Sequence, residues 1–299
     1  MTLSICIVNW NTRDLLKACL HSIERYPPAE PYEVIVVDNA STDGSAEMVR
    51  TQFEWVKLIA NSENRGYAGG NNQAITQAQG EFILLLNPDT EIHPETFSQA
   101  LAFMRRHPDV GAIGAKQVFP DGRIQPSLRA FPTPRPLLFE VLGLAKLFPK
   151  CPMFAAYRYG WFGYDRPIEV DQPMGTFLLV CRAVVARVGL MDESFPLFFN
   201  DVDWCYRIKQ AGWKIMFVPS VVITHHGGAS TSQVRLEAIR ESHQALERFY
   251  EKHYRSRLPA PLYWAIIGLI RVGGWVRMKW ARRRGRSHGS CASNRLTAL

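Results

Sequence analysis

With 299 residues, 47% of them apolar, the chain can bury one large core or two smaller ones, which excludes a disordered or fibrous protein. Its net charge of +8 is confined to one end: eleven of the 35 Lys and Arg residues follow Glu251, where no acid occurs, and the remaining 24 face 27 acidic residues. A mildly acidic body argues against a nucleic-acid binder, and six cysteines (Cys6, Cys19, Cys151, Cys181, Cys205, Cys291) without paired metal-ligand spacing read as reduced core residues of an intracellular protein.

Met1 leads almost directly into an apolar stretch with no basic n-region and no small-residue cleavage site, so no signal peptide is expected. Residues 3–8 predict a strand, followed by a polar loop in which Thr12 is placed to cap a helix over 14–25; Pro27, Pro28 and Pro31 end that helix. Residues 33–37 predict a second strand with Asp38 at its carboxyl end, then a helix over 46–53. This alternation is the grammar of a parallel βαβ half-fold that binds nucleotides. A short third strand over 56–59 leads into 61–72, where Gly66, Gly69 and Gly70 would admit backbone amides to a ligand and the start of the helix running to Ala78 would favour an anion. The spacing does not match the dinucleotide fingerprint.

Residues 82–86, five apolar residues without alternation, predict a central strand buried on both faces of a mainly parallel sheet. Pro88 stops it and leaves Asp89 and Glu91 at the carboxyl end, where α/β sheets bind ligands. Asn87-Pro-Asp89-Thr is readable either as a turn with a helix cap or as a carboxylate that holds a divalent cation. A helix over 94–107 and a strand over 111–119 follow. The proline- and aromatic-rich stretch 126–170 reads as an irregular excursion over the active face, either a seat of acceptor specificity or a packed insertion. A strand over 173–180, a helix over 182–188, a helix from Asp201 and Asp203 to about Ala211 and a last strand over 212–218 complete the body, and residues 221–230 bring up His225 and His226. Asp201, preceded by Phe198 and Phe199, suits a general base in a cleft, whereas Asp203 equally fits the positive end of a helix.

Ile-Val-Asn-Trp-Asn at 7–11, Val-Asp-Asn-Ala-Ser-Thr-Asp-Gly-Ser at 37–45, Asn-Arg-Gly-Tyr-Ala-Gly-Gly-Asn-Asn at 64–72, Leu-Asn-Pro-Asp at 86–89 and Phe-Phe-Asn-Asp-Val-Asp-Trp-Cys at 198–205, with His-His-Gly-Gly after them, resemble the family-two inverting glycosyltransferases of GT-A fold, in their bacterial rhamnosyltransferase-like branch. The resemblance covers roughly residues 2–230. It implies a single Rossmann-like, mainly parallel sheet flanked by helices, with a C-terminal helical extension. It assigns Asp201 as catalytic base and places Val8, Asn9, Asn11, Asp38, Asn64, Gly66, Gly70, Asn71, Asn87 and Asp89 at the nucleoside diphosphate sugar. Asp89, with His225, would hold Mg²⁺ or Mn²⁺, while Gly175, Asp203 and His226 would support the acceptor side. Asn87 stands where relatives carry a first carboxylate, which implies a metal held weakly until the donor arrives; Asn200 stands where many have Glu. The implied reaction moves a sugar, rhamnose from dTDP-rhamnose by branch resemblance, to a hydroxyl of a lipid-linked saccharide in cell-envelope polysaccharide synthesis.

Residues 231–299 are expected to form a separate helical, basic extension. Trp264, Trp275 and Trp280 among arginines suit an anionic membrane interface, though Arg271 interrupts the apolar run too early for a span. The alternative is an ordinary C-terminal helix with a disordered basic end. The expected location is the cytoplasmic face of the cell membrane. A degenerate sugar-nucleotide binder and a nucleotidyltransferase are the rival readings; Asp89 and Asp201 together count against the first, and the lack of an early glycine-rich basic loop against the second.

Overall fold

The computed structural model of the chain describes residues 1–227 and 235–293. Among these, Met1–Pro196 and residues 200–227 form one compact unit, and Leu197–Phe199 with residues 235–293 form a second. The expected boundary between residues 230 and 231 lies outside the described residues.

The first unit begins with β1 (Leu3–Asn9), α1 (Arg13–Arg25), β2 (Tyr32–Asp38), α2 (Ser45–Gln52), β3 (Lys57–Ala60), α3 (Gly66–Gln77) and β4 (Phe82–Leu86). Every residue of β1 and β4 is buried, as continuous apolar strands in a covered sheet require. Helix α1 turns Leu16, Cys19, Leu20 and Ile23 inward at spacings of three, one and three. Next come β5 (Thr90–Ile92), α4 (Thr96–Arg106), β6 (Val110–Val118), β7 (Ile124–Gln125), β8 (Leu128–Arg129), α5 (Pro134–Val141) and α6 (Leu144–Leu147). The unit ends with β9 (Ile168–Glu169), β10 (Gln172–Pro173), β11 (Phe177–Cys181), α7 (Arg182–Val188), α8 (Asn200–Gln210) and β12 (Lys214–His225).

The main sheet runs β3-β2-β1-β4-β11-β6-β12-β5. Strands β3, β2, β1 and β4 are mutually parallel, as are β6 and β12, whereas β11 and β5 run antiparallel to their neighbours. The expected α/β class and the central place of β4 hold: it lies between β1 and β11. Asn9 and Asp38 are register partners at the carboxyl ends of β1 and β2, and Asn87 follows β4 one step beyond its last residue. Polar side chains therefore gather where the parallel strands stop.

Three local expectations change. The strand expected over 173–180 is two pieces: Gln172 and Pro173 pair with β8 in a separate ribbon, and only Phe177–Cys181 joins the main sheet. Pro173 offers no ladder donor, and its ring fills the space a side chain at Gly114 would need, so the chain leaves the sheet there. The last strand is longer than 212–218, because β12 absorbs Pro219 and Ser220 in a register shift between Val218 and Val222 and continues to His225. The stretch 126–170 is not wholly irregular, since it holds α5 and α6.

The second unit contains α9 (Arg235–Tyr254) and the 34-residue α10 (Ala260–Ser293), with Pro261 in its first turn, where a missing N–H costs nothing. Gly274 of α10 packs against the His243 ring of α9, and Arg271 pairs with Glu247 at 2.9 Å. Tyr263, Ile266, Ile267 and Ile270 are buried, while Leu262, Leu269, Val272, Val276 and Trp280, spaced by seven, three, four and four, make an exposed apolar stripe flanked by exposed Trp264 and Trp275. Among the described residues no helix is long and apolar enough to cross a membrane.

Candidate active site

The last turn of β12 and the short β5 bring Asp89, Thr90, Glu91, His225 and His226 together. His225 is the register partner of Thr90, and the His226 N–H donates to the Asp89 carbonyl at 3.0 Å. His225 Nε2 lies 3.3 Å from Asp89 Oδ1, both side chains being buried. On the ring's other side Nδ1 is 2.8 Å from Gln125 Oε1. That carbonyl oxygen can only accept, so Nδ1 donates to it and Nε2 faces the carboxylate. With Nε2 unprotonated, that nitrogen and Asp89 Oδ1 are two ligands that a cation would bridge. Asn87 Oδ1, just past the end of β4, is also buried and has no hydrogen-bond partner among the described residues. The donor set thus fits a divalent cation, although among the described residues no three His, Cys, Asp or Glu side chains converge on one point. His226 donates from Nε2 to Glu91 Oε1 at 2.7 Å in a half-exposed pair beside the site.

Asp201 stands in the first turn of α8. Its Oδ2 accepts from the Gly175 N–H and from Gln172 Nε2, both at 3.0 Å, and its Oδ1 accepts from the Val202 N–H at 2.9 Å. Burial pushes its carboxyl above the ordinary value of 3.8, against the pull of those three donors. Gly175 is glycine for a steric reason: a Cβ there would sit 3.1 Å from Asp201 Oδ2 and 3.2 Å from its Cβ. The Gly175 carbonyl accepts from Tyr67 Oη at 2.9 Å, which ties α3 to the loop that holds Asp201. Burial, and then the Asp201 charge, raise the Tyr67 phenol, so it stays a donor. Asp203 is a different case. It is fully buried and paired with Arg207 at 2.8 Å, and Arg207 also donates to the Val188 and Leu190 carbonyls, so Asp203 anchors α8.

The residues expected at the donor fall into a connected polar network. Asn9 Nδ2 donates to Asp38 Oδ1 at 2.8 Å, the Ser41 N–H donates to Asp38 Oδ2 at 2.9 Å, and Asn9 Oδ1 accepts from Thr12 Oγ1 at 2.6 Å. Thr12 therefore braces Asn9 and makes no side-chain cap on α1. Asn11, held in the left-handed region at φ 51°, accepts from the Thr42 N–H at 2.8 Å. Asn71 Nδ2 donates to the Tyr67 carbonyl.

The glycine loop is corrected in its reason. Gly66 has φ +71°, and a Cβ on it would meet the Pro196 carbonyl at 2.6 Å; one on Gly70 would meet Val8 at 2.8 Å. Close packing of loop and strand demands these glycines. The first amides of α3 are not offered to an anion, because the Gly66 N–H donates to Asn64 Oδ1 and the Tyr67 N–H to the Pro196 carbonyl. Gln125, Gln172 and Tyr67 were not anticipated from sequence. A separate cleft of about 480 Å³ between Lys57 and Glu193 contains neither Asp89 nor Asp201.

The fold superposes on solved glycosyltransferases. Mannosyltransferase PcManGT from Pyrobaculum calidifontis, solved with GDP-Man and Mn²⁺, superposes with a TM-score of 0.58 at 20% identity over 98% of this chain and 75% of its own. Staphylococcus aureus TarS superposes at 0.54 and 18% identity over 85% of this chain and 44% of its own. The fold is GT-A. Residues 4–163 match "Glycosyl transferase family 2", and the chain belongs to that family. An N-acetylglucosaminyl-diphospho-decaprenol L-rhamnosyltransferase of Mycobacterium tuberculosis (strain ATCC 25618 / H37Rv) is 29% identical over 86% of both chains. The low-salt glycan biosynthesis hexosyltransferase Agl10 of Haloferax volcanii is 26% identical over 70% of this chain and 62% of its own. The chain is a glycosyltransferase.

Proposed function

We propose that the protein transfers a sugar with inversion from a nucleoside diphosphate donor, dTDP-rhamnose in the reading that best fits its relatives, to a hydroxyl of a lipid-linked saccharide in cell-envelope polysaccharide synthesis. The reading rests on how Asp201 is held: a desolvated carboxylate fixed by Gln172 and the Gly175 amide, with its proton affinity raised by burial. A base so placed takes the acceptor's hydroxyl proton as the acceptor oxygen bonds to the anomeric carbon. The bond from that carbon to the diphosphate breaks on the opposite face, and its electron pair leaves with the phosphate. Asp89 and His225 would hold Mg²⁺ or Mn²⁺, which when bound supplies positive charge against the departing diphosphate. Asn87 Oδ1, which has no hydrogen-bond partner among the described residues, has capacity for the incoming complex. Asn9, Asn11, Asp38, Asn64 and Asn71 line or brace the donor side.

Residues 1–230 carry this chemistry, and residues 231–299 rest on the anionic inner face of the cell membrane. The support for the second part is the exposed stripe of α10, with Trp264, Trp275 and Trp280 55%, 58% and 62% exposed, followed in sequence by Arg282, Arg283, Arg284 and Arg286. The test is a thermal-shift and turnover screen against dTDP-rhamnose and common UDP- and GDP-sugars, with and without Mn²⁺. One donor at a hundred times its Kd is expected to add about 2.7 kcal/mol of stability in a metal-dependent way, with nucleoside diphosphate released when acceptor is present. Indifference to every sugar nucleotide contradicts the proposal.

A further inference from the structure

The ribbon formed by β8 and β10 places an arginine beside the base. Arg129 is the register partner of Gln172, and directly opposed residues of an antiparallel pair project to the same face. Gln172 in turn donates to Asp201 Oδ2, so Arg129 stands one side chain away from the carboxylate. Its own Nη1 donates only to main-chain carbonyls, of Leu128 at 2.7 Å and Pro126 at 3.3 Å. Among the described residues no carboxylate lies within ion-pair distance of this half-buried guanidinium.

A second cation adds to the first. Arg158, in the turn Ala156–Arg158, is near enough for its charge to act on Arg129, and the Ala130 N–H donates to the Tyr157 carbonyl at 2.9 Å, which fastens the turn to the end of β8. Glu140 pairs with Arg158 at 3.3 Å, and one carboxylate against two guanidinium groups leaves the trio with an excess positive charge. Burial, then the Arg158 charge, pull the Arg129 guanidinium below its usual value. A protein that desolvates one arginine next to another gives up stability unless an anion completes the site.

We propose that Arg129, with Arg158 beside it, binds a phosphate of the acceptor, the group through which a saccharide is joined to its lipid. The planar fork of arginine matches phosphate oxygens, and its position next to Gln172 and Asp201 puts that phosphate on the acceptor's side of the base. The donor's diphosphate belongs instead with Asn87, Asp89 and His225. The inference rests on Asp201 being the base.

The test uses the full chain as wild type, Arg129→Ala and Arg129→Lys, with a short-chain polyprenyl diphospho-N-acetylglucosamine as acceptor and the same saccharide on a neutral alkyl glycoside as control. Arg129→Ala is expected to raise the KM of the diphosphate acceptor roughly ten- to a hundredfold, the range lost with a charge-assisted hydrogen bond. Donor KM and turnover on the neutral acceptor should stay at wild-type values, and Lys should recover part of the loss. A higher donor KM in place of a higher acceptor KM would overturn the assignment, as would an equal loss on the neutral acceptor. Equilibrium binding of the diphosphate acceptor, with dTDP filling the donor site, separates the two readings. Equal binding by wild type and Arg129→Ala sinks the phosphate site. Arg129-dependent binding without any transfer by wild type sinks the transferase reading and leaves the phosphate site standing.

Discussion

Asp201 is a half-buried carboxylate steadied by donors, and both features have measurable signs. Folding raises its pKa above 3.8, so its contribution to stability is fully present below that value and is lost as pH rises through the folded value. The difference in Tm between Asp201→Asn and wild type should therefore move in the variant's favour between pH 3.5 and pH 7; calorimetry that finds the opposite drift would show the carboxylate to be stabilised by folding. Gln172 donates to the ionised form, so Gln172→Ala should move the acid limb of kcat/KM to higher pH, while a limb at the wild-type position would separate Gln172 from the base. At this scale the sequence was legible wherever a residue sits inside a local motif. Asp89, Asp201 and His225 were readable as candidates because strand ends and a helix start present them, and the family resemblance supplied their expected roles. Gln125, Gln172 and Tyr67 could not, because each reaches the site through a pairing distant in sequence: Gln125 across 100 residues to His225, and Tyr67 across 108 to Gly175.

Elements carry the site by where they stop. β1 and β2 end in step at the register pair Asn9 and Asp38, β4 stops at the pair of Ile7 and Leu86 so that Asn87 follows at the same end of the sheet, and each of these strands was visible as an apolar run ended by a polar residue or a proline. The harder elements are those whose geometry is set by partners. β5 is three residues long, too short for any period, yet it delivers Asp89 to His225 through its pairing with β12. β10 parts from β11 at Pro173, and the Gln172 side chain and Gly175 amide then reach Asp201, a long-range consequence that no local period expresses. The glycine loop was legible as a special backbone, but its cause lies in Pro196 and Val8. Gly66→Ala should thus destabilise the fold by about 1–3 kcal/mol, through strain at φ +71° and the contact with the Pro196 carbonyl, read as a lower urea midpoint. An unchanged midpoint would show that the loop relaxes freely.

For the whole molecule, charge segregation in the sequence suggests a body and a basic extension, and the described residues divide into Met1–Pro196 with residues 200–227 and Leu197–Phe199 with residues 235–293. The extension's helical wheel was harder to read, because the buried side of α10 is apolar as well, through Ile266, Ile267 and Ile270, and only packing distinguishes the two sides. Replacing Trp264, Trp275 and Trp280 with Gln should abolish co-sedimentation with anionic vesicles while leaving turnover of a water-soluble acceptor intact; undiminished vesicle binding would refute the membrane role of α10. The claim on which the rest depends is that one carboxylate serves as base for a sugar held by its diphosphate. Wild type and Asp201→Asn, assayed side by side for transfer and for Mn²⁺-dependent stabilisation by the donor, test it most directly. The account predicts that the variant keeps the donor- and metal-dependent shift and loses ~10²–10⁴ in turnover. Wild-type turnover in Asp201→Asn would contradict it.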